Sequence, residues 1–169
     1  KRQVLLMWEK AKDFLTRAFT VIFMATVIIW FMQTFDTRLN VVENSADSIL
    51  AALGRLVSPI FAPLGFGDWR MVTALVSGFT AKEAVVSTFG VILGVSTEQL
   101  GIALHSLFTT ASAASFLAFC LLYTPCVAAV STIKTELKSG WKTVGIVFAQ
   151  CLVAWLAAFM VYHVGLLLT

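Results

Sequence analysis

Lys82 and Glu83 are adjacent ionisable residues inside a long apolar stretch, in the phrase GFTAKEAVV at residues 78–86. An ionisable side chain within a membrane span is costly and is by default a candidate for function. Adjacent residues on a helix point in different directions, so these two side chains are not a natural ion pair. We therefore favour a functional interpretation. The structural alternative is that the two charges pair with each other or mark a turn at the membrane surface.

Thr80 and Glu83 match a capping box, the S/T-x-x-E pattern that opens many helices. The Thr hydroxyl accepts from the amide of the Glu, and the Glu side chain reaches back to the amide of the Thr. Gly78, just before this pattern, can adopt the backbone conformations that a helix break needs. The pattern predicts that one helix ends near Ser77 and that the next begins at Thr80.

Thr124 and Pro125 predict a second break, in the phrase LLYTPCVAAVS at residues 121–131. Thr is a good N-cap residue, and Pro is favoured at the first position of a helix. We expect a helix to stop at Tyr123 and the next helix to begin at Pro125. Cys126 would then lie in the first turn of the new helix.

These two predicted breaks indicate a metal site within the membrane. Paired broken helices form the substrate sites of many secondary transporters, where protein or a water-filled cavity satisfies the freed backbone groups. Glu83 brings a carboxylate and Cys126 a thiol, each to a predicted helix N-terminus, where negative charge is favoured. Carboxylate, thiolate and backbone carbonyl ligands suit a first-row divalent metal. We therefore predict Cys126 and Glu83 as metal ligands, with simple packing as the alternative for Cys126.

The elements that must position these residues are transmembrane helices. The 169 residues are 59% hydrophobic and 12% charged, whereas a soluble domain carries about 25% charged residues. We predict an all-α, polytopic helical membrane protein with about five spans. The expected spans are residues 18–35, 49–66, 71–95, 106–130 and 144–168. The segment 49–66 contains Pro59 and Pro63 and is either a kinked span or a re-entrant element, which would leave about four spans. Residues 96–105 are expected to form a polar loop.

The charge pattern predicts the orientation of the chain in the membrane. Basic residues cluster in segments 1–17 and 134–142, whereas the loop 36–47 has three acidic residues and one arginine. The positive-inside rule therefore places the N-terminus in the cytoplasm and the loop 36–47 outside. Residues 1–17 are expected to form an interfacial amphipathic helix, and residues 18–169 the transmembrane domain.

Other functional classes find little support in the sequence. Three cysteines without a CxxC pair argue against a disulfide framework or a zinc knuckle. The sequence has no HExxH motif and no nucleophile–base–acid set, so we do not expect an enzyme. It has no GxxxxGKS/T motif, so we expect no nucleotide site of that type. The basic residues flank apolar runs, which suits a cytoplasmic membrane surface better than nucleic acid.

The phrases GFTAKEAVVSTFGVILG and LLYTPCVAAVSTIKTE, in this order, resemble the C-terminal gate and transmembrane region of ferrous iron transport protein B (FeoB). The approach APLGFGDWRMVTALVSGF and the ending IIWFMQTF of the first span are similar to the same region. The resemblance extends from about Trp8 to Tyr162, nearly the whole chain. Within this resemblance the gate motif comprises Gly78, Thr80, Lys82, Glu83, Thr124, Pro125 and Cys126.

The resemblance implies that residues 18–169 are a gate domain, the second half of a transporter that moves Fe²⁺ across the bacterial inner membrane. Fe²⁺ is then the transported substrate, and no cofactor is bound permanently. The implied partners are membrane lipid, an N-terminal GTP-binding domain, the first gate half, and a further copy of the chain in a homo-oligomer. Nucleic acid is not expected. The family's cysteine beside proline, proposed to handle iron, corresponds to Cys126, whereas Glu83 rests on its charge and capping pattern.

The chain is then either a fragment of a longer transporter or a stand-alone relative. Two alternative functions remain open beside iron transport. One is a gate-type transporter module for nucleosides or another solute, because related gate regions are attributed to nucleoside recognition. The other is a non-transporting membrane assembly module, in which Lys82 and Glu83 would lie at a contact with a partner subunit.

Overall fold

The structure is a computed structural model that describes residues 2–80, 82, 84–123 and 126–168. Within these ranges the regular structure is helical, apart from an isolated bridge between Phe35 and Val41. The helices are α1 (Arg2–Thr34), α2 (Ile49–Phe61), α3 (Trp69–Gly78), α4 (Ala84–Leu93), α5 (Thr97–Leu107), α6 (Thr110–Leu122), α7 (Val127–Leu137) and α8 (Gly140–Leu168), with short 3-10 helices at Ser45–Asp47 and Ala62–Leu64. The prediction of an all-α helical membrane protein is confirmed.

The described helices include several that are long and apolar enough to cross a membrane. By length and composition, Thr110–Leu137, which contains α6 and α7, and Gly140–Leu167 of α8 could each cross a membrane. Two bent pairs of helices add a span each if each pair acts as one: α2 with α3, at 103°, and α4 with α5, at 80°. Phe19–Thr34 of α1 is a shorter apolar helix. The described helices therefore give two spans, or up to four with the bent pairs, which is roughly consistent with the expected number of about five, although the helices group differently.

The prediction of a polar loop at residues 96–105 is wrong, because helix α5 occupies Thr97–Leu107. Ser96 has extended backbone angles, φ −68° and ψ 159°, and its carbonyl accepts from the amides of Gln99 and Leu100 at 3.0 Å each. Leu100 and Leu104 then lie one turn apart on the side of α5 that packs against the core. Burial of these leucines outweighs the polar residues that suggested a loop.

Helix α1 runs unbroken from Arg2 to Thr34. The expected interfacial segment and the first span therefore share one helix, and the boundary proposed between residues 17 and 18 coincides with no helix end. Large apolar side chains such as Trp8, Phe19 and Trp30 are exposed along it. Such an exposed apolar surface is typical of a membrane protein. The division into an interfacial and a transmembrane domain stays a prediction.

Helices α2 and α3 form a tight corner. Ser48 caps α2 by accepting from the amide of Ala51 at 3.1 Å, and Asp68 caps α3 by accepting from the amide of Arg70 at 2.8 Å. The 103° bend between the two helices is the geometry of a broken span or of a re-entrant loop. The bend lies between Leu64 and Trp69, at the end of the segment 49–66, and the choice between a kinked span and a re-entrant element stays open.

An aromatic cluster from several helices fills the core around α6. Phe66 has no exposed surface and contacts Phe116 edge to face, with ring centroids 5.3 Å apart. Phe119 stacks on Tyr123 at 5.5 Å, so the cluster reaches the end of α6. Because such pairs hold rings in defined orientations, they fix the position of Tyr123 beside the second helix break.

Helices α6 and α8 pack closely through small residues. The hydroxyl of Ser115, which is fully buried, donates to the carbonyl of Ala158 at 2.9 Å. A Cβ on Gly165 would lie only 3.0 Å from the Cβ of Ala111. Small side chains let two helix backbones approach in a membrane, where apolar surface alone gives little drive for association. Helix α8 therefore packs directly against α6 and helps to hold it in place.

Candidate functional site

The first predicted break is present between α3 and α4. Helix α3 ends at Gly78, Lys82 lies in a turn, and α4 begins at Ala84. The predicted helix start at Thr80 is therefore wrong. The hydroxyl of Thr80 donates to the carbonyl of Ser77 at 2.7 Å, and its amide donates to the same carbonyl at 3.1 Å. Thr80 thus satisfies the end of α3, and the other member of the proposed capping box, Glu83, lies outside the described residues.

The second predicted break is present between α6 and α7. Helix α6 ends at Leu122, and α7 begins at Val127. Cys126 is the N-cap residue, with φ −54° and ψ 161°, so the helix begins after it instead of at Pro125. The predicted N-cap Thr124 and the predicted first residue Pro125 lie outside the described residues. The break itself is confirmed, and its cysteine occupies the helix N-terminus as expected.

The fold brings the two breaks into direct contact. The amide of Val127, the first residue of α7, donates to the carbonyl of Phe79, which follows α3, at 3.0 Å. Inside one continuous helix each of these groups would bond to its own chain four residues away. A hydrogen bond between the breaks satisfies both groups where a membrane offers no water.

Lys82 makes a second connection between the breaks. Its ammonium donates to the carbonyl of Leu121 at 3.3 Å and lies 5.0 Å from the ring centroid of Tyr123. The hydroxyl of Tyr123 in turn donates to the carbonyl of Leu75, in α3, at 3.5 Å. The end of α6 thus holds the side chain of Lys82, although the two are far apart in the sequence. This finding disfavours the interpretation that it only marks a surface turn.

Gly78 is required for this close approach. A Cβ at its position would overlap Val85 Cγ2 and would lie 2.9 Å from the Tyr123 hydroxyl. Helices α3 and α4 and the end of α6 therefore meet at a point where only a hydrogen atom fits. The sequence suggested a permissive backbone at Gly78 or, alternatively, a close contact between helices, and the structure shows the close contact, against Val85 and Tyr123.

The metal-ligand prediction remains untested by the geometry. Cys126 is half-buried at the start of α7, and its side chain makes no capping hydrogen bond. Glu83 is outside the described residues, so its distance from Cys126 is not defined. Among the residues that the structure does describe, no group of three or more His, Cys, Asp and Glu side chains could hold a metal ion. A site formed by Cys126 and Glu83 would therefore need backbone carbonyls or water to complete it.

Sequence reasoning missed Phe79, Leu121 and Tyr123 as parts of the site. Phe79 and Leu121 contribute backbone carbonyls, and every residue type has such a carbonyl, so the residue type does not indicate their role. For Leu121 a signal did exist, because Pro125 follows it at the spacing of a helical hydrogen bond. Tyr123 was named only as the last residue before the break.

A groove of about 710 Å³ opens beside the first break, between α4, α5 and α6. Phe89, Phe108 and Phe116 line it, so most of its wall is apolar and aromatic. Because the groove reaches from Thr109 to Tyr123, which flank opposite ends of α6, it extends over about 20 Å. Lys82 lines the same groove, together with Val85, Val86, Gly101, Leu104, His105, Thr110, Ala113, Leu117 and Cys120.

Comparison with known proteins shows to which family the chain belongs. The model of a family described as "Gate: Nucleoside recognition" matches residues 15–140. The chain is 33% identical over 168 residues to the Fe(2+) transporter FeoB of Methanocaldococcus jannaschii, covering 95% of this chain and 25% of that protein. It is 39% identical over 160 residues to the FeoB of Staphylococcus aureus strain COL, covering 94% of this chain and 24% of that protein.

A third relative, the Fe(2+) transport protein A/Fe(2+) transporter FeoB fusion protein of Porphyromonas gingivalis, is 28% identical over 210 residues, which cover 95% of this chain and 25% of the fusion protein. The chain thus spans about a quarter of the length of the curated relatives it matches. No solved structure matches it. The similarity to FeoB read from the two motif phrases is confirmed. Because the family model covers most of its length, residues 15–140, the chain belongs to the Gate family, described as nucleoside recognition.

Proposed function

We propose that this chain is the transmembrane gate module of a ferrous iron importer and moves Fe²⁺ across the bacterial inner membrane. The observation that carries this proposal is the bond between the two helix breaks, Val127 to Phe79, in a chain similar to Fe(2+) transporters along 94–95% of its length. Paired broken helices are the usual substrate sites of secondary transporters. The chain itself is not an enzyme in this proposal.

In this proposal Cys126 and Glu83 bind the ion in transit. Cys126 lies at the N-terminus of α7, beside the hydrogen bond that joins the breaks. A thiolate is favoured at a helix N-terminus, and sulfur with carboxylate and carbonyl oxygen suits Fe²⁺. Few protein ligands, supplemented by water, keep the affinity low enough for the ion to leave again. No cofactor is bound permanently.

The orientation follows from charge, and the partners from the relatives. The basic segments 1–17 and 134–142 lie in the cytoplasm, and the loop 36–47 lies outside. The FeoB relatives are about four times longer than the matched region. As the resemblance to FeoB implies, the module works with a GTP-binding domain and a first gate half, within lipid, and the assembled protein forms homo-oligomers.

Uptake by the complete transporter tests this function. The purified protein, reconstituted in vesicles, should accumulate Fe²⁺, and Fe²⁺ should raise its melting temperature. Nucleosides should do neither. If the intact protein neither transports nor binds Fe²⁺, the iron assignment is wrong, and an assembly module becomes the better explanation.

A gate-type module for nucleosides or a similar solute is the second candidate. The family description names nucleoside recognition, and the groove of about 710 Å³ has the size of a small-molecule site. Its aromatic wall could stack a base, and Lys82 could donate to a polar substituent. Stabilisation by nucleosides but not by Fe²⁺ would favour this candidate over the first.

A further inference from the structure

Leu121 has a carbonyl for which the sequence provides no regular α-helical donor. In an α-helix each carbonyl accepts from the amide four residues later. The residue four positions after Leu121 is Pro125, and proline has no amide hydrogen. The sequence alone therefore removes the regular donor of this carbonyl. In the apolar interior of a membrane, such a group must find another donor.

Lys82 provides that donor from the other broken helix. Its ammonium donates to the carbonyl of Leu121 at 3.3 Å. The same ammonium lies 5.0 Å from the ring centroid of Tyr123, where the face of an aromatic ring attracts a cation. It also lies at the C-terminal end of α6, where the helix dipole favours positive charge. Three separate attractions thus hold Lys82 against α6.

A second contact, from Tyr123 to Leu75, satisfies a carbonyl near the end of α3. The amide of Phe79 donates to the carbonyl of Val76 at 3.2 Å, whereas a regular helix would direct it to Leu75. The carbonyl of Leu75 instead accepts from the hydroxyl of Tyr123 at 3.5 Å. Each broken helix therefore supplies a side-chain donor to a carbonyl that the break in the other helix leaves open.

We propose that Lys82 is a positioning residue that replaces the amide hydrogen missing at Pro125 and so holds the two breaks against each other. Through this contact the break after α3 is tied to the end of α6 on one side, and the Val127–Phe79 bond ties it to α7 on the other. This role depends on the proposed function only in the experiments that measure transport. It assigns to Lys82 no direct contact with the ion.

The complete transporter carrying substitutions at Lys82 and Pro125 tests this role. Lys82→Met keeps an apolar stem but removes the donor, and we expect it to lower the initial rate of Fe²⁺ uptake about tenfold, because the carbonyl of Leu121 loses a charged partner. Lys82→Arg keeps the charge and donors and should retain most of the rate. Pro125→Ala returns an amide hydrogen to the chain. Lys82→Met should therefore cost much less in the Pro125→Ala background than in the natural one.

Cross-linking gives a readout that needs no transport. Phe79→Cys combined with Val127→Cys, in a transporter free of other cysteines, reports whether the breaks are in contact. Disulfide formation should be rapid with Lys82 or Lys82→Arg, slow with Lys82→Met, and rapid again when Pro125→Ala is added. If the parent transporter, with Cys126 in place, never moves Fe²⁺ but the cysteine-substituted variants follow this cross-linking pattern, the proposed function is disproved and the positioning role is retained.

The positioning role is overturned if Lys82→Met cross-links as fast as the parent. It is also overturned if Pro125→Ala gives no rescue, so that the two substitutions act additively. Lys82 would then act through a different contact, such as an ion pair with Glu83. Normal uptake by Lys82→Met together with normal cross-linking would likewise overturn the positioning role.

Discussion

The amide of Val127 donates a hydrogen bond to the carbonyl of Phe79 at 3.0 Å, and this bond joins two helix breaks that are far apart in the sequence. The groups it pairs are those that a broken helix leaves open at membrane depth. The two breaks therefore form one structural feature, to which two separate segments of the chain contribute. Substitutions in one break should consequently affect the other.

The first prediction concerns the proposed iron ligands. In the complete transporter, Cys126→Ser and Glu83→Gln should each lower Fe²⁺ uptake about tenfold or more, because a hydroxyl or an amide is a weaker ligand than a thiolate or a carboxylate. Uptake of radioactive iron into vesicles, normalised to the amount of folded protein, is the measurement.

Cys151→Ser is the matched control for this prediction. Cys151 lies in α8, where it lines a pocket with Phe79 and Tyr123 but does not begin a helix as Cys126 does, and its replacement should leave uptake unchanged. If Cys126→Ser and Glu83→Gln both transport iron normally, the site assignment is wrong, and the two breaks serve packing or gating alone.

The second prediction concerns the close approach at Gly78. Gly78→Ala should destabilise the protein by about 1–3 kcal/mol, because its Cβ would overlap Val85 and crowd the Tyr123 hydroxyl. The measurement is the midpoint of thermal unfolding in detergent. Gly145→Ala is the control, since nothing lies within 4 Å of a Cβ there and the residue is within α8. Equal midpoints for the two variants would contradict the steric role of Gly78.

The third prediction concerns the interface that supports α6. Ser115→Ala should lower the free energy of unfolding by about 0.5–1.5 kcal/mol, because the carbonyl of Ala158 loses the hydroxyl donor at 2.9 Å. Ser106→Ala should have little effect, since the hydroxyl of Ser106 is exposed and bonds only within its own helix, to Ala103. Denaturant titration followed by tryptophan fluorescence compares the two. A larger loss for Ser106→Ala would argue against the α6–α8 contact.

The fourth prediction concerns orientation in the membrane. Single cysteines introduced at Lys138 and at Leu39, in a transporter without other cysteines, should be labelled from opposite sides. Lys138 lies between α7 and α8 in the basic segment 134–142, and Leu39 lies in the acidic loop after α1. The positive-inside rule predicts cytoplasmic labelling at 138 and external labelling at 39. External labelling of position 138 by an impermeant reagent would reverse the topology.

Several features of this protein follow from local sequence alone. Apolar runs of span length specify helices in a membrane, and Gly78 and Pro125 specify where helices stop, because a missing side chain or a missing amide hydrogen acts within one turn. The helical class and both breaks could therefore be predicted. The assignment of Cys126 and Glu83 as iron ligands remains a prediction.

Other features were decided by contacts between distant parts of the chain. Thr80 matched a helix start, but its hydroxyl bonds to the carbonyl of Ser77 at the end of α3. Residues 96–105 were polar enough for a loop, but burial of Leu100 against the core favours α5. Local pattern gives only a preference in such cases, and tertiary packing decides between structures of similar local energy.

The pairing of the breaks could come only from the tertiary structure. The sequence determines that Leu121 lacks a helical donor and that Lys82 carries a spare one, yet nothing local connects the two. Their contact depends on how α3, α4 and α6 pack around the aromatic cluster and Gly78. Hydrogen bonds are short and directional, so only the assembled fold determines which donor reaches which carbonyl.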